Sequence, residues 1–126
     1  MSVRKFPANV TQDEQRLVLD FIVIPIMLNY IDEDISAIKK YGLRTDLILI
    51  NALRKVRDDI LAEHSDIKLK MRQSGIKIIG NTNSKLGVDA AYLCRGYHHS
   101  ISLLWSLIRT EVLSKASQYT GIKLTQ

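Results

Sequence analysis

Between residues 17 and 28 the chain reads LVLDFIVIPIML, and apart from Asp20 and Pro25 every side chain in that run is a large apolar one. At helical spacing, Leu17, Val18, Phe21, Ile24 and Leu28 form one face, continued by Ile31, Ile35 and Ile38. Leu19, Ile22, Val23, Ile26 and Met27 fill the opposite side. A helix that is apolar all round has to be surrounded, by other elements of its own chain or by a partner chain, because so large an apolar patch is costly in water. The run is twelve residues long and contains Asp20, whereas a bilayer-spanning helix needs roughly 20. A core helix is therefore expected, with no membrane as partner. Pro25 removes a backbone donor and crowds the preceding turn, which predicts a kink near residues 21–25.

The flanks of this helix carry clear signals. Thr11-Gln12-Asp13-Glu14 has the spacing of a capping box, in which hydroxyl and carboxylate satisfy each other's end amides. After Tyr30 the run Asp32-Glu33-Asp34 and then Lys39-Lys40 suit a helix emerging into solvent and ending at Gly42. The three consecutive acids point in different directions and cannot converge on one cation. A second helix is expected from Thr45, with Leu49, Leu53, Val56 and Ile60 in alternating steps of four and three. The same phase runs on through His64, Ile67 and Met71 to the Ser74-Gly75 pair. Residues 67–72 also alternate apolar and basic, as a half-buried strand would; the helix is preferred because its phase is unbroken from Leu49.

Next, Ile76-Lys77-Ile78-Ile79 reads as a short β-branched strand, with Gly80-Asn81-Thr82-Asn83-Ser84 as a turn and Val88 to Cys94 as the antiparallel partner. A last helix is expected from about Gly96-Tyr97 to Gly121. Ile101, Trp105, Ile108, Val112, Ala116 and Tyr119 would make its apolar face, widened by Leu103, Leu104 and Leu107. With only 6 Gly and 2 Pro, turns are too scarce for an all-β fold. The fold class expected is mainly α (α+β): a helical bundle of three long helices, the first kinked at Pro25, with a small β-hairpin between the second and third. Residues 1–10 are read as a flexible N-terminal tail, residues 11–121 as a single helical domain and residues 122–126 as a C-terminal tail. One cysteine allows no internal disulfide, and the start Met1-Ser2-Val3-Arg4-Lys5 leads into no apolar signal core, so a cytoplasmic location is expected.

Chemistry-bearing motifs are sparse. Cys94, His98 and His99 cluster, and Cys94 to His98 is the i,i+4 spacing that would place two ligands on one helical face. A structural zinc site needs four ligands, and no second pair at metal spacing is available. The bland reading is a buried thiol and two imidazoles free to face solvent. Residues 80–87 resemble a phosphate loop superficially, but Ser84 stands before Lys85 and Leu86 follows it, so the glycine and hydroxyl that would hold phosphate and magnesium are missing. No cofactor is expected, and no catalytic set can be placed, so binding rather than catalysis is the expected work.

Two binding classes follow. The first is a small regulatory or adaptor protein acting through protein–protein contacts as a homo-oligomer, with Phe21, Ile24, Leu28, Ile101 and Leu104 as interface candidates. The alternative is a nucleic-acid-binding accessory protein. The chain carries a net charge of +5, and residues 66–96 hold six basic residues against two acids. There Lys77, Lys85 and Arg95 would neutralise phosphates, and Tyr92 and Tyr97 would offer stacking faces.

Overall fold

The computed structural model describes residues 10–124 and orders them as α1 (Gln12–Tyr41), α2 (Asp46–Gln73), β1 (Ile76–Asn83), β2 (Gly87–Cys94), β3 (Tyr97–Leu104) and α3 (Trp105–Thr120). The expected tail at residues 1–10 lies outside the described residues except for Val10.

Helix α1 starts with the anticipated capping box. Thr11 Oγ1 accepts from the Glu14 amide at 3.1 Å and Glu14 Oε1 accepts from the Thr11 amide at 3.0 Å. The helix continues through Pro25 without a break and ends at Gly42, whose φ of 64° gives the left-handed cap that a Cβ would strain. A short link then reverses the chain into α2. The Arg57–Asp32 ion pair and the stacking of His64 on Phe21 at 5.2 Å show that α1 and α2 run antiparallel. Residues 67–72 are helical: Ile67 and Met71 are buried on the same face as Val56 and Ile60. The helical phase wins over the two-residue alternation: Leu69, which a strand would bury beside Ile67 and Met71, is 48% exposed.

Two expectations about the second half are corrected. The hairpin is a three-stranded antiparallel meander in the order β1-β2-β3. The last helix starts at Trp105, not near Tyr97. Arg95 and Gly96 both take positive φ, 51° and 88°, as the two central residues of a tight hairpin turn require. That turn pairs Cys94 with Tyr97 and carries the chain straight into β3. His99, Ile101 and Leu103 then fall on one face of the sheet and His98, Ser100 and Ser102 on the other, a two-residue period that replaces the helical one. With α3 reduced to 16 residues, the molecule is not a bundle of three long helices. A bulge at Ile79 shifts the β1–β2 register between Ile78 and Gly80.

One face of the sheet is dry. Ile76, Val88, Ala90, Tyr92, Cys94 and Leu103 join Val18, Ile22, Val23, Ile24, Met27, Ile60 and Ile108 in a single core. The all-apolar run of α1 is thus enclosed by the chain itself: between residues 17 and 28 only Pro25 is exposed. Gly87 lets β2 and β3 approach at their junction, where a Cβ would lie 1.9 Å from the Leu103 carbonyl oxygen. The β1–β2 turn is closed by Ser84, whose hydroxyl accepts from the Leu86 amide at 3.2 Å. Trp105 donates its indole N–H to the Ser84 carbonyl at 2.9 Å, tying the start of α3 to that turn.

Candidate interaction surfaces

Asp20, the one carboxylate in the apolar run, is buried and belongs to a polar network joining all three helices. Its Oδ1 lies 3.1 Å from both Arg16 Nη2 and Lys115 Nζ. Lys115 is only 4% exposed and donates to Glu63 Oε2 at 2.8 Å. Tyr119 donates to the other oxygen of Glu63, and Arg16 also pairs with Glu111. Burial raises the Glu63 pKa, but the hydrogen bonds from Lys115 and Tyr119 and the field of Lys115 together hold it below the usual carboxylate range. The Tyr119 hydroxyl is held well above its usual range, by burial first and then by donating to Glu63. Every charge here has an opposite partner, which is what a buried ionic network needs to be tolerated. None of these residues stood out as a site in the sequence; the signal was Asp20, since a carboxylate in an all-apolar helix requires a buried cation.

Arg95 is likewise committed to structure. Its guanidinium donates to both Glu14 oxygens, at 2.7 and 3.2 Å, and to the Ser74 carbonyl at 3.1 Å. The Arg95 hydrogen bond is the main reason that Glu14 titrates below the usual carboxylate range. Of the residues read as nucleic-acid contacts, Lys77 stands exposed on β1 and Lys85 on the β1–β2 turn. Tyr92 is buried with its ring stacked on His99 at 5.4 Å, and Tyr97 is 39% exposed beside Arg95 and Gly96. The structure therefore does not assemble these five residues into one basic face.

Cys94 is fully buried at the end of β2, and burial pushes its thiol pKa up. His98 and His99 are neighbours on a strand and point to opposite faces of the sheet. The helical i,i+4 spacing of Cys94 and His98 does not exist, and among the described residues no group of three or more His, Cys, Asp or Glu is placed to hold a metal ion. Nor is any helix among them long and apolar enough to cross a membrane.

Two surfaces among the described residues carry chemistry that the fold does not use. The first is the free end of the α1–α2 hairpin. The C-terminal turns of α3 and Leu124 reach the hairpin at the level of Asp34 and Ala52, around a cavity of about 280 Å³ that also touches Met27, Ile31, Leu53 and Val56. Past that level Ile35 and Ile50 are buried, while Tyr41 (77%), Leu43 (46%), Leu47 (71%) and Ile48 (69%) stand exposed. Of the residues read as an interface, Ile24 lies wholly in the chain's own core; Phe21 and Leu28 are half-buried. Ile101 is half-buried on the core side of β3, and Leu104 is 58% exposed on the other side. The hairpin end was missed because Leu47 and Ile48 fall off the face drawn through Leu49 and Leu53.

The second surface is a cleft of about 470 Å³ between α2 and β1, lined by Phe21, Met71, Ile76 and Ile78 and by three cations, Lys68, Arg72 and Lys77. His64 stacks on Phe21 with its Nδ1 buried and without a hydrogen-bond partner among the described residues. Burial first, and Lys68 second, hold its pKa below the ordinary histidine value.

No curated protein and no solved structure matches the chain. The family model described as YhjD protein matches residues 9–124, which takes in every element of the fold. The chain belongs to the YhjD protein family.

Proposed function

We propose that this protein is a small non-enzymatic regulatory or adaptor module that works through protein–protein contacts as a homodimer, pairing through the free end of its α1–α2 hairpin. The observation that carries this reading is the exposure of Tyr41, Leu43, Leu47 and Ile48 together at one end of the molecule. They leave on the order of 500 Å² of apolar surface in water, at the upper end of what a monomer shows, against about 800 Å² per partner in a standard interface.

The charges around the patch suit a second copy. Glu33 and Asp34 precede Lys39 and Lys40 on the same helix, roughly 9 Å along the axis at 1.5 Å per residue. Two hairpins laid antiparallel about a two-fold axis near Ala37 set the lysines of each copy against the acids of the other, the self-complementarity an isologous dimer needs. The enclosed run of α1 takes no part, since its own chain already covers it.

Light scattering on the purified chain tests the proposal. The parent is expected at twice the monomer mass, and Leu47→Glu with Ile48→Glu at the monomer mass with unchanged helical content, its melting temperature lowered only by the loss of dimer mass action. A monomeric parent across a wide concentration range would overturn it. The nucleic-acid reading keeps only Lys77 and Lys85 of its three cations, because the Arg95 guanidinium is held by Glu14 and Ser74. Salt-sensitive binding of DNA or RNA that Lys77→Glu with Lys85→Glu abolishes would restore it.

A further inference from the structure

The cleft between α2 and β1 combines a free strand edge, an apolar floor and a basic rim, and we infer that it binds an extended acidic peptide segment of a partner protein by adding it as a fourth strand beside β1.

The strand edge follows from the register. The Arg95 amide donates to the Gly75 carbonyl at 2.8 Å, so Gly75 and Arg95 form a hydrogen-bonded pair. In an antiparallel ladder such pairs alternate with non-bonded ones. Ile76 opposite Cys94 and Ile78 opposite Tyr92 are therefore non-bonded pairs, and their backbone N–H and C=O groups point away from β2, toward the outer edge. β1 is an edge strand of the sheet, and the cleft lies along it. An edge of this kind is a template for pairing, with main-chain hydrogen bonds supplying affinity and alternate side chains supplying selection.

Side chains specify what enters. The floor of Phe21, Met71, Ile76 and Ile78 accepts apolar groups from alternate positions of a strand, while Lys68 and Arg72 on one wall and Lys77 on the other call for carboxylates. Among the described residues no acidic residue lines the cleft. Lys70 is already paired with Asp66 at 3.0 Å, but among the described residues no ion pair engages Lys68, Arg72 or Lys77 in this way. Residues 1–9, which carry Arg4 and Lys5 with no acid, and residues 125–126, Thr and Gln, do not supply this chemistry. A nucleic-acid strand fits less well than a peptide, because stacking needs an open aromatic face. Among the described residues the one aromatic ring in the lining, Phe21, is stacked on His64.

The test titrates full-length protein into a fluorescein-labelled eight-residue peptide alternating glutamate with isoleucine or valine, read by anisotropy, with amide chemical shifts followed by NMR. Saturable binding is expected, with shifts centred on Ile76 and Ile78. Lys68→Glu with Arg72→Glu should weaken it by about tenfold or more, as loss and reversal of rim charges does. The same peptide with lysine in place of glutamate, or with N-methyl groups on alternate backbone nitrogens, should not bind. Equal binding of the N-methylated peptide would overturn strand addition, and absence of binding by the acidic peptide would overturn the site. An oligonucleotide that binds the cleft more tightly and depends on the same cations would assign it to nucleic acid instead. Leu47→Glu with Ile48→Glu should leave peptide affinity unchanged, so this site stands or falls apart from the hairpin dimer.

Discussion

Lys115 is the sharpest place to test the packing. Substituting Lys115→Met keeps most of the aliphatic stem and removes the ammonium that lies 2.8 Å from Glu63 and 3.1 Å from Asp20. Two carboxylates, one of them 8% exposed, are then left facing the space the cation filled. Removing one partner of a buried ion pair costs about 3–5 kcal/mol, because the remaining charge stays desolvated. Arg16 still reaches Asp20 from a half-exposed position, which offsets part of the loss and places the expected value near the lower limit, about 3 kcal/mol. In a chain of this size each kcal/mol moves the melting temperature by about 4 °C, so Lys115→Met should melt roughly 12 °C below the parent. Calorimetry at neutral pH measures this, and a double-mutant cycle with Glu63→Gln should return a coupling above about 1 kcal/mol. A Lys115→Met variant melting within about 2 °C of the parent, with additive singles, would show that the network is hydrated and carries no structural charge.

Gly87→Ala should destabilise by about 2–3 kcal/mol or more, since the new methyl group meets the Leu103 carbonyl and the strands must part; urea denaturation reads it. Trp105→Phe keeps an aromatic ring but loses the indole hydrogen bond to Ser84, for an expected loss of about 1 kcal/mol, with amide shifts confined to the β1–β2 turn. On acidification, Glu14 and Glu63 act in the same direction. Both titrate lower in the folded chain than the ordinary value of 4.5, so their stabilisation is complete above that value and is lost as pH falls through their folded values. Denaturation midpoints between pH 7 and pH 3 should fall less steeply in Glu63→Gln than in the parent.

Much of the helical half was legible because its signals are local. The capping box at Thr11 and Glu14, the stop at Gly42 and the phase from Leu53 to Met71 depend on neighbours in sequence, and they appear where the spacing puts them. The third strand was hidden because the run from Tyr97 to Leu104 satisfies both periods. Ile101 and Leu104 suit a helix, while Ile101 and Leu103 suit a strand. What decides between them is Arg95-Gly96, a pair able to take the two positive φ values of a tight turn. The roles of Arg95 and Lys115 were out of reach for another reason. Both cations are consumed by carboxylates far away in sequence, at Glu14 and Glu63, and charge counting along the chain treats them as available. The exposed hairpin end shows the converse: Leu47 and Ile48 read as ordinary helix residues until the length of α3 fixes how much of α2 it can cover.

The Arg95 clip has a kinetic meaning. It joins the first turn of α1, the exit of α2 and the β2–β3 turn, across 81 positions to Glu14 and 21 to Ser74. The helical hairpin and the meander each form from adjacent elements, but the clip closes only when both have docked, because its partners sit on both units. Contacts made after the transition state slow unfolding and leave the folding rate almost untouched. A clip that closes this late is expected to lengthen the lifetime of the native molecule, and with it resistance to proteases that act on opened chains, more than to speed folding.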